Sequence, residues 1–195
     1  MTNMLEDVKN LREATGASMM ACKKALEEAS GDFEKALEAL RKKGEAKAAE
    51  KSERSTGEGI VYSYIHTNKK VGAMVQLACE TDFVAKNEKF VEFAADLAMQ
   101  VVATSPKAVN PEEISDEFIA KEKEIWRAQL ENEGKPADKI DMILTNKEKS
   151  AREEMALMKQ AFVKDPDKTI EALVKEHINK LGENIKIVKF VRYEV

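Results

Sequence analysis

The chain has 195 residues, 35% of them Asp, Glu, Lys or Arg, with a net charge of −4, a balance that argues against nucleic acid as the main partner. No run approaches the roughly 20 apolar residues that span a bilayer, and MTNMLEDVKN lacks the basic-then-apolar pattern of a secretion signal, so no membrane association is expected. Cys22 and Cys79 form neither a CxxC spacing nor a disulfide framework, which makes a reducing, cytoplasmic setting the expectation.

Residues 1–44 read as a three-helix N-terminal domain. Leu5, Val8 and Leu11 recur at helical spacing and stop at Thr15-Gly16; Ser18 then offers an N-cap for a run with Met19, Met20, Cys22, Ala25 and Leu26. Gly31 ends that run, and Asp32 can cap a third helix with Phe33, Ala36, Leu37 and Leu40 inward. From Arg41 to Thr56 the text RKKGEAKAAEKSERST has no large apolar residue and no stripe with which to pack; residues 45–56 are read as a solvated, partly helical linker.

A different texture follows over residues 57–195. IVYSYIH, rich in β-branched and aromatic residues, is separated by the polar turn TNKK from a second strand, VGAMVQLAC; the third strand comes only at the end, in IKIVKFVRYEV. Three strands with helices inserted before the last describe an antiparallel α+β core. Within the insertion, Asn87 can cap a helix carrying Phe90, Phe93, Ala94, Leu97 and Val101, and Pro106 and Pro111 break the run after it. Ser115 can start a charged helix through Phe118, Ile119, Ile125, Trp126 and Leu130. Beyond Gly134 and Pro136 a second run places Ile140, Ile143, Leu144, Ala151, Met155, Met158 and Phe162 at helical intervals, so a helical hairpin is expected over approximately 115–164. A last helix carries Ile170, Leu173, Val174 and Ile178 and ends at Gly182.

Reactive constellations are sparse. His66 and His177 belong to no HxxxH or HExxH spacing, neither cysteine has a histidine at local spacing, and there is no GxxxxGKS or GxGxxG loop. No metal, no cofactor and no catalytic residue is assigned, and the chain is read as acting by binding. The basic stretch RKKGEAKAAEK could be an RNA-binding arm, but its glutamates and alanines and its lack of interleaved aromatics favour a solvated linker.

Two local questions stay open from the residues alone. Phe83, in ETDFVAKNEKF, is either a core aromatic behind an N-cap or a ring held out for another molecule. Met19 and Met20 are adjacent on a helix and so point about 100° apart, which puts at least one of them outward.

LREATGASMMACKKAL at 11–26 and TDFVAKN at 81–87, with EGIVYSYIH between them and IVKFVRYEV at the end, closely resemble the elongation factor Ts family, guanine-nucleotide exchange factors for elongation factor Tu. The resemblance implies a ubiquitin-associated-type N-terminal domain that docks on the GTPase domain of Tu through Arg12, Met19 and Met20. It further implies contact at Thr81, Asp82, Phe83 and Val84, with the Phe wedged between helices near the nucleotide site, Mg2+ displaced and the phosphate-binding loop loosened. Ser18 and Ala21 stand where many relatives carry Gly and Asp, and only one half of the duplicated core of longer relatives is represented. A homodimer binding two Tu molecules is therefore expected. The alternatives are an adaptor that reads partners through the N-terminal bundle, and an RNA-associated factor using the linker.

Overall fold

The structure, a computed structural model, describes residues 4–195. Helices α1 (Met4–Thr15), α2 (Met19–Glu28) and α3 (Phe33–Ser52) open the chain. Their starts are set by side chains that satisfy the free N–H groups of a first turn: Ser18 Oγ accepts from Ala21 N–H at 3.2 Å and Asp32 Oδ1 from Lys35 N–H at 3.1 Å. Val8, Leu11, Cys22, Ala25, Leu26, Ala36, Leu37 and Leu40 form one small core between them.

The polar stretch after Leu40 departs from expectation. α3 continues without a break to Ser52, and Ala48, only 2% exposed, packs into the main core of the molecule. Small residues rather than large apolar ones make this possible. A Cβ at Gly44 would stand 2.7 Å from the side-chain amide of Asn179, on helix α8 (Ile170–Leu181), so Gly44 and Ala48 let the two helices approach closely. Of the segment read as a solvated, partly helical linker, residues 45–52 are helical and only Ala48 is buried; the others stay exposed or half-exposed.

The remaining residues are α+β. Strands β1 (Glu58–Ile65), β2 (Val71–Cys79) and β5 (Lys186–Glu194) form an antiparallel sheet in the order β1-β2-β5, with Glu58 opposite Cys79 and Val75 opposite Phe190. Gly59 has φ +150°, and a Cβ there would lie 2.2 Å from the Leu77 carbonyl oxygen, so the β1-β2 pairing admits no side chain at that point. Helix α5 (Glu88–Thr104), capped by Asn87, lies across one face of the sheet. Phe90, Phe93, Ala94, Leu97 and Val101 join Ala73, Val75 and Leu77 in the main core. Among the described residues no element covers the opposite sheet face, and Val61, Ile65, Met74 and Tyr193 are exposed.

Helices α6 (Asp116–Asn132) and α7 (Ala137–Met155) form the hairpin, closed by Leu130, Ile140 and Leu144 with Trp126 and Ile143 against them. Its end differs from expectation: α7 stops at Met155, and the chain folds back through a 3-10 turn into a small antiparallel pair, β3 (Ala161–Phe162) and β4 (Asp165–Thr169). Met158 and Phe162 keep a helical spacing that the backbone does not follow. Leu157 and Met158 instead donate to the carbonyls of Ala108 and Val109 at 2.9 and 3.1 Å, and Leu157 and Phe162 enter the main core. The buried amide of Gln100 donates to Ala161 O at 3.0 Å and accepts from Val163 N–H at 2.9 Å, which fixes the fold-back.

Candidate partner-docking site

Between β2 and α5 lies a single helical turn, α4 (Asp82–Ala85). Val84 and Ala85 are buried in the main core, Val84 at 9% exposure. With those two side chains anchored, the turn has no inward direction left for its preceding residues, and Phe83 is 85% exposed. Val84, which the resemblance also implies as a contact, anchors the turn in the free chain, while Thr81, Asp82 and Phe83 face outward. An apolar ring on a pinned turn is the informative kind of surface residue, because its exposure is imposed by its neighbours.

Asp82 accepts from Lys86 Nζ at 2.7 Å, and that hydrogen bond and the lysine's charge hold its carboxyl below the usual carboxylate range. It is an anion beside an apolar ring, already paired with an exposed surface cation. Cys79, just before the turn, is buried, and burial together with the Glu183 carboxylate pushes its thiol up to about 11; its Sγ lies 3.2 Å from the Thr81 carbonyl. It is a protonated packing residue rather than a nucleophile.

On the N-terminal bundle Arg12 is exposed, and so are both methionines, Met19 at 37% and Met20 at 77%. The bundle's core is filled from α2 by Cys22, Ala25 and Leu26, so neither thioether is needed inside. An open groove of about 710 Å³ runs from Arg12 and Met19 to Lys89 and Phe93 of α5 and to His177 and Lys180 of α8. It brings the bundle surface alongside the helix that follows the Phe83 turn; Met20 and Phe83 themselves stand outside it.

His177 stacks on Phe93, ring centroids 3.9 Å apart and 9° from parallel, and its Nδ1 lies 2.9 Å from the Leu173 carbonyl. Burial lowers its pKa from the ordinary 6.5, opposed by the Leu173 hydrogen bond and by Glu176 and Asp96, and supported by Lys180. Because the unfolded chain takes up this proton first, His177 leaves stability unaffected above about pH 7 and subtracts from it as pH falls through the ordinary value toward the lowered one. Thermal midpoints across that window should fall less steeply for His177→Gln than for the parent; parallel curves would show that His177 is not the linked group. His66 is remote in role, its Nδ1 3.1 Å from Tyr64 Oη. Among the described residues no group of three or more His, Cys, Asp or Glu side chains is placed to hold a metal, and no helix is long and apolar enough to cross a membrane.

Comparison with known proteins gives the relatives of the chain. A family profile described as Elongation factor TS matches residues 2–195. The chain is 54% identical over 188 residues to elongation factor Ts of Thermosipho melanesiensis, covering 96% of both chains. It is 50% identical to elongation factor Ts of Carboxydothermus hydrogenoformans, covering 96% of this chain and 87% of that one. The protein of the same name from Moorella thermoacetica is 51% identical, with 97% and 93% covered.

Proposed function

From the premise that the chain belongs to the elongation factor Ts family, we propose that it is a guanine-nucleotide exchange factor for elongation factor Tu, acting in the cytoplasm by binding and not by covalent chemistry. The observation that carries this reading is the ring of Phe83, 85% exposed on a turn whose next two residues are buried. Arg12, Met19 and Met20 dock the bundle on the GTPase domain; exposed, flexible thioethers suit an adaptable contact. Thr81, Asp82 and Phe83 then reach the nucleotide side of the partner. A ring inserted into a packed helix pair shifts the pair, because close-packed cores yield by displacement and not by compression. Loss of Mg2+ from the partner's site removes a large positive charge from the phosphates and releases GDP.

No direct nucleic-acid contact is part of this role: the basic stretch lies within α3, where its lysines alternate with glutamates and alanines and no aromatic residue stands among them. The uncovered sheet face, with Val61, Ile65, Met74 and Tyr193 exposed, supports a homodimer formed face to face, carrying two Tu molecules. Sedimentation of the intact chain at micromolar concentration should give twice the chain mass, and a monomer there would remove this part of the proposal.

The test of the function is catalytic turnover. Substoichiometric amounts of the chain should accelerate release of labelled GDP from elongation factor Tu. Tight binding with no acceleration would support the adaptor reading instead.

A further inference from the structure

Gly182, Glu183 and Asn184, the loop between α8 and β5, commit an unusual number of polar groups to two distant segments. Glu183 closes over the end of β2. Its Oε2 accepts from the backbone N–H of Glu80 at 3.1 Å and of Thr81 at 3.0 Å, and its Oε1 accepts from the Thr81 hydroxyl at 2.6 Å. Thr81 is the N-cap residue of α4 but makes no cap bond of its own. Asn184, buried, turns the other way: its side-chain amide donates to Ser52 O at 3.2 Å and Arg54 O at 2.8 Å, at the end of α3. Its backbone N–H donates to Glu80 Oε1 at 2.6 Å, and Lys51 Nζ donates to the Gly182 carbonyl at 2.8 Å. Arg54 stands 3.7 Å from the Glu80 carboxylate, so two cations and two carboxylates balance across the loop.

The two segments so joined are the end of α3, which carries the N-terminal bundle, and the entry to the turn that holds out Phe83. A single helical turn does not order itself, since nucleation fixes several residues for one hydrogen bond. Resting on the exchange role above, we propose that Glu183 and Asn184 are positioning residues for exchange, clasping the end of α3 to the entry of α4 so that bundle and ring meet the partner in one fixed relation. The ordering cost of inserting the ring is thereby met before the partner arrives.

A mutant cycle with labelled GDP on elongation factor Tu tests this. Glu183→Ala should lower the maximal release rate roughly tenfold, the scale of losing charge-assisted hydrogen bonds, while the half-saturating concentration, set by the bundle, stays constant. Glu183→Gln, which still offers an oxygen to both N–H groups, should recover most of the rate. In a Phe83→Ala background Glu183→Ala should cost nothing further. An equal fractional loss in both backgrounds, or a half-saturation that worsens in step, overturns positioning in favour of general destabilisation. Amide deuteration of the free chain judges the clasp without reference to Tu: Glu183→Ala should speed uptake at residues 80–83 and leave α5 unchanged. Unchanged uptake at 80–83 overturns the clasp, whereas a Phe83→Ala chain with undiminished release overturns the exchange mechanism instead.

Discussion

Phe83→Ala is expected to lower the maximal rate of GDP release from elongation factor Tu by about thirtyfold and to leave the thermal midpoint of the free chain unchanged. The size follows from the burial proposed for the ring in the complex: full burial of a Phe side chain stabilises by about 2 kcal/mol, and each 1.4 kcal/mol is tenfold. The constancy of the midpoint follows from the free chain, where the ring is 85% exposed and Val84 and Ala85 supply the anchoring. Asp82→Ala should act in the same direction more weakly, since its carboxylate is solvated and already paired with Lys86. Stopped-flow release at saturating chain, read beside a melting curve, checks both statements. Release at the parent rate, with Phe83 and Asp82 both replaced, would dismiss the wedge.

Seven residues on, Phe90→Ala is expected to have the opposite phenotype. Phe90 is fully buried at the start of α5, in the core shared with the sheet and with α8. Truncating such a side chain removes its transfer free energy and leaves a cavity, about 3–5 kcal/mol together, against a total stability of about 5–15 kcal/mol for a domain. Denaturant unfolding should move to a much lower midpoint with an unchanged slope. A loss under about 1 kcal/mol would mean that α5 is not seated on the sheet as described. The two phenylalanines thus separate stability from function within one short stretch.

Legibility in the sequence followed the range of the interactions involved. Ser18, Asp32, Asn87 and Ser115 cap their helices as expected, because a cap is decided within three residues. The sheet and its α+β setting were readable from alternation and β-branched runs. Long-range packing was not. The continuation of α3 depends on Gly44 and Ala48 meeting α8, small residues whose four-residue spacing was the one available signal. The fold-back after Met155 depends on Gln100 and on the backbone of Ala108 and Val109, and helical periodicity through Phe162 concealed it.

Within the site, local reasoning left Phe83 undecided because burial of Val84 and Ala85, not Phe83, is what orients the turn. Met19 and Met20 both face outward, one more than their 100° separation required. Nothing in the neighbourhood of Glu183 distinguishes it from a solvated glutamate after a helix, because its partners lie 102 and 103 residues earlier.

Exchange by binding has a thermodynamic signature that does not depend on rates. If the chain and GDP each weaken the other's hold on elongation factor Tu, both must do so by the same factor. Affinity of the chain for nucleotide-free Tu and for GDP-saturated Tu, measured side by side, reads that factor directly. The parent chain should bind the nucleotide-free form far more tightly, and Phe83→Ala should lose most of the preference while still docking through Arg12, Met19 and Met20. Equal affinity of the parent chain for the two forms would contradict the mechanism.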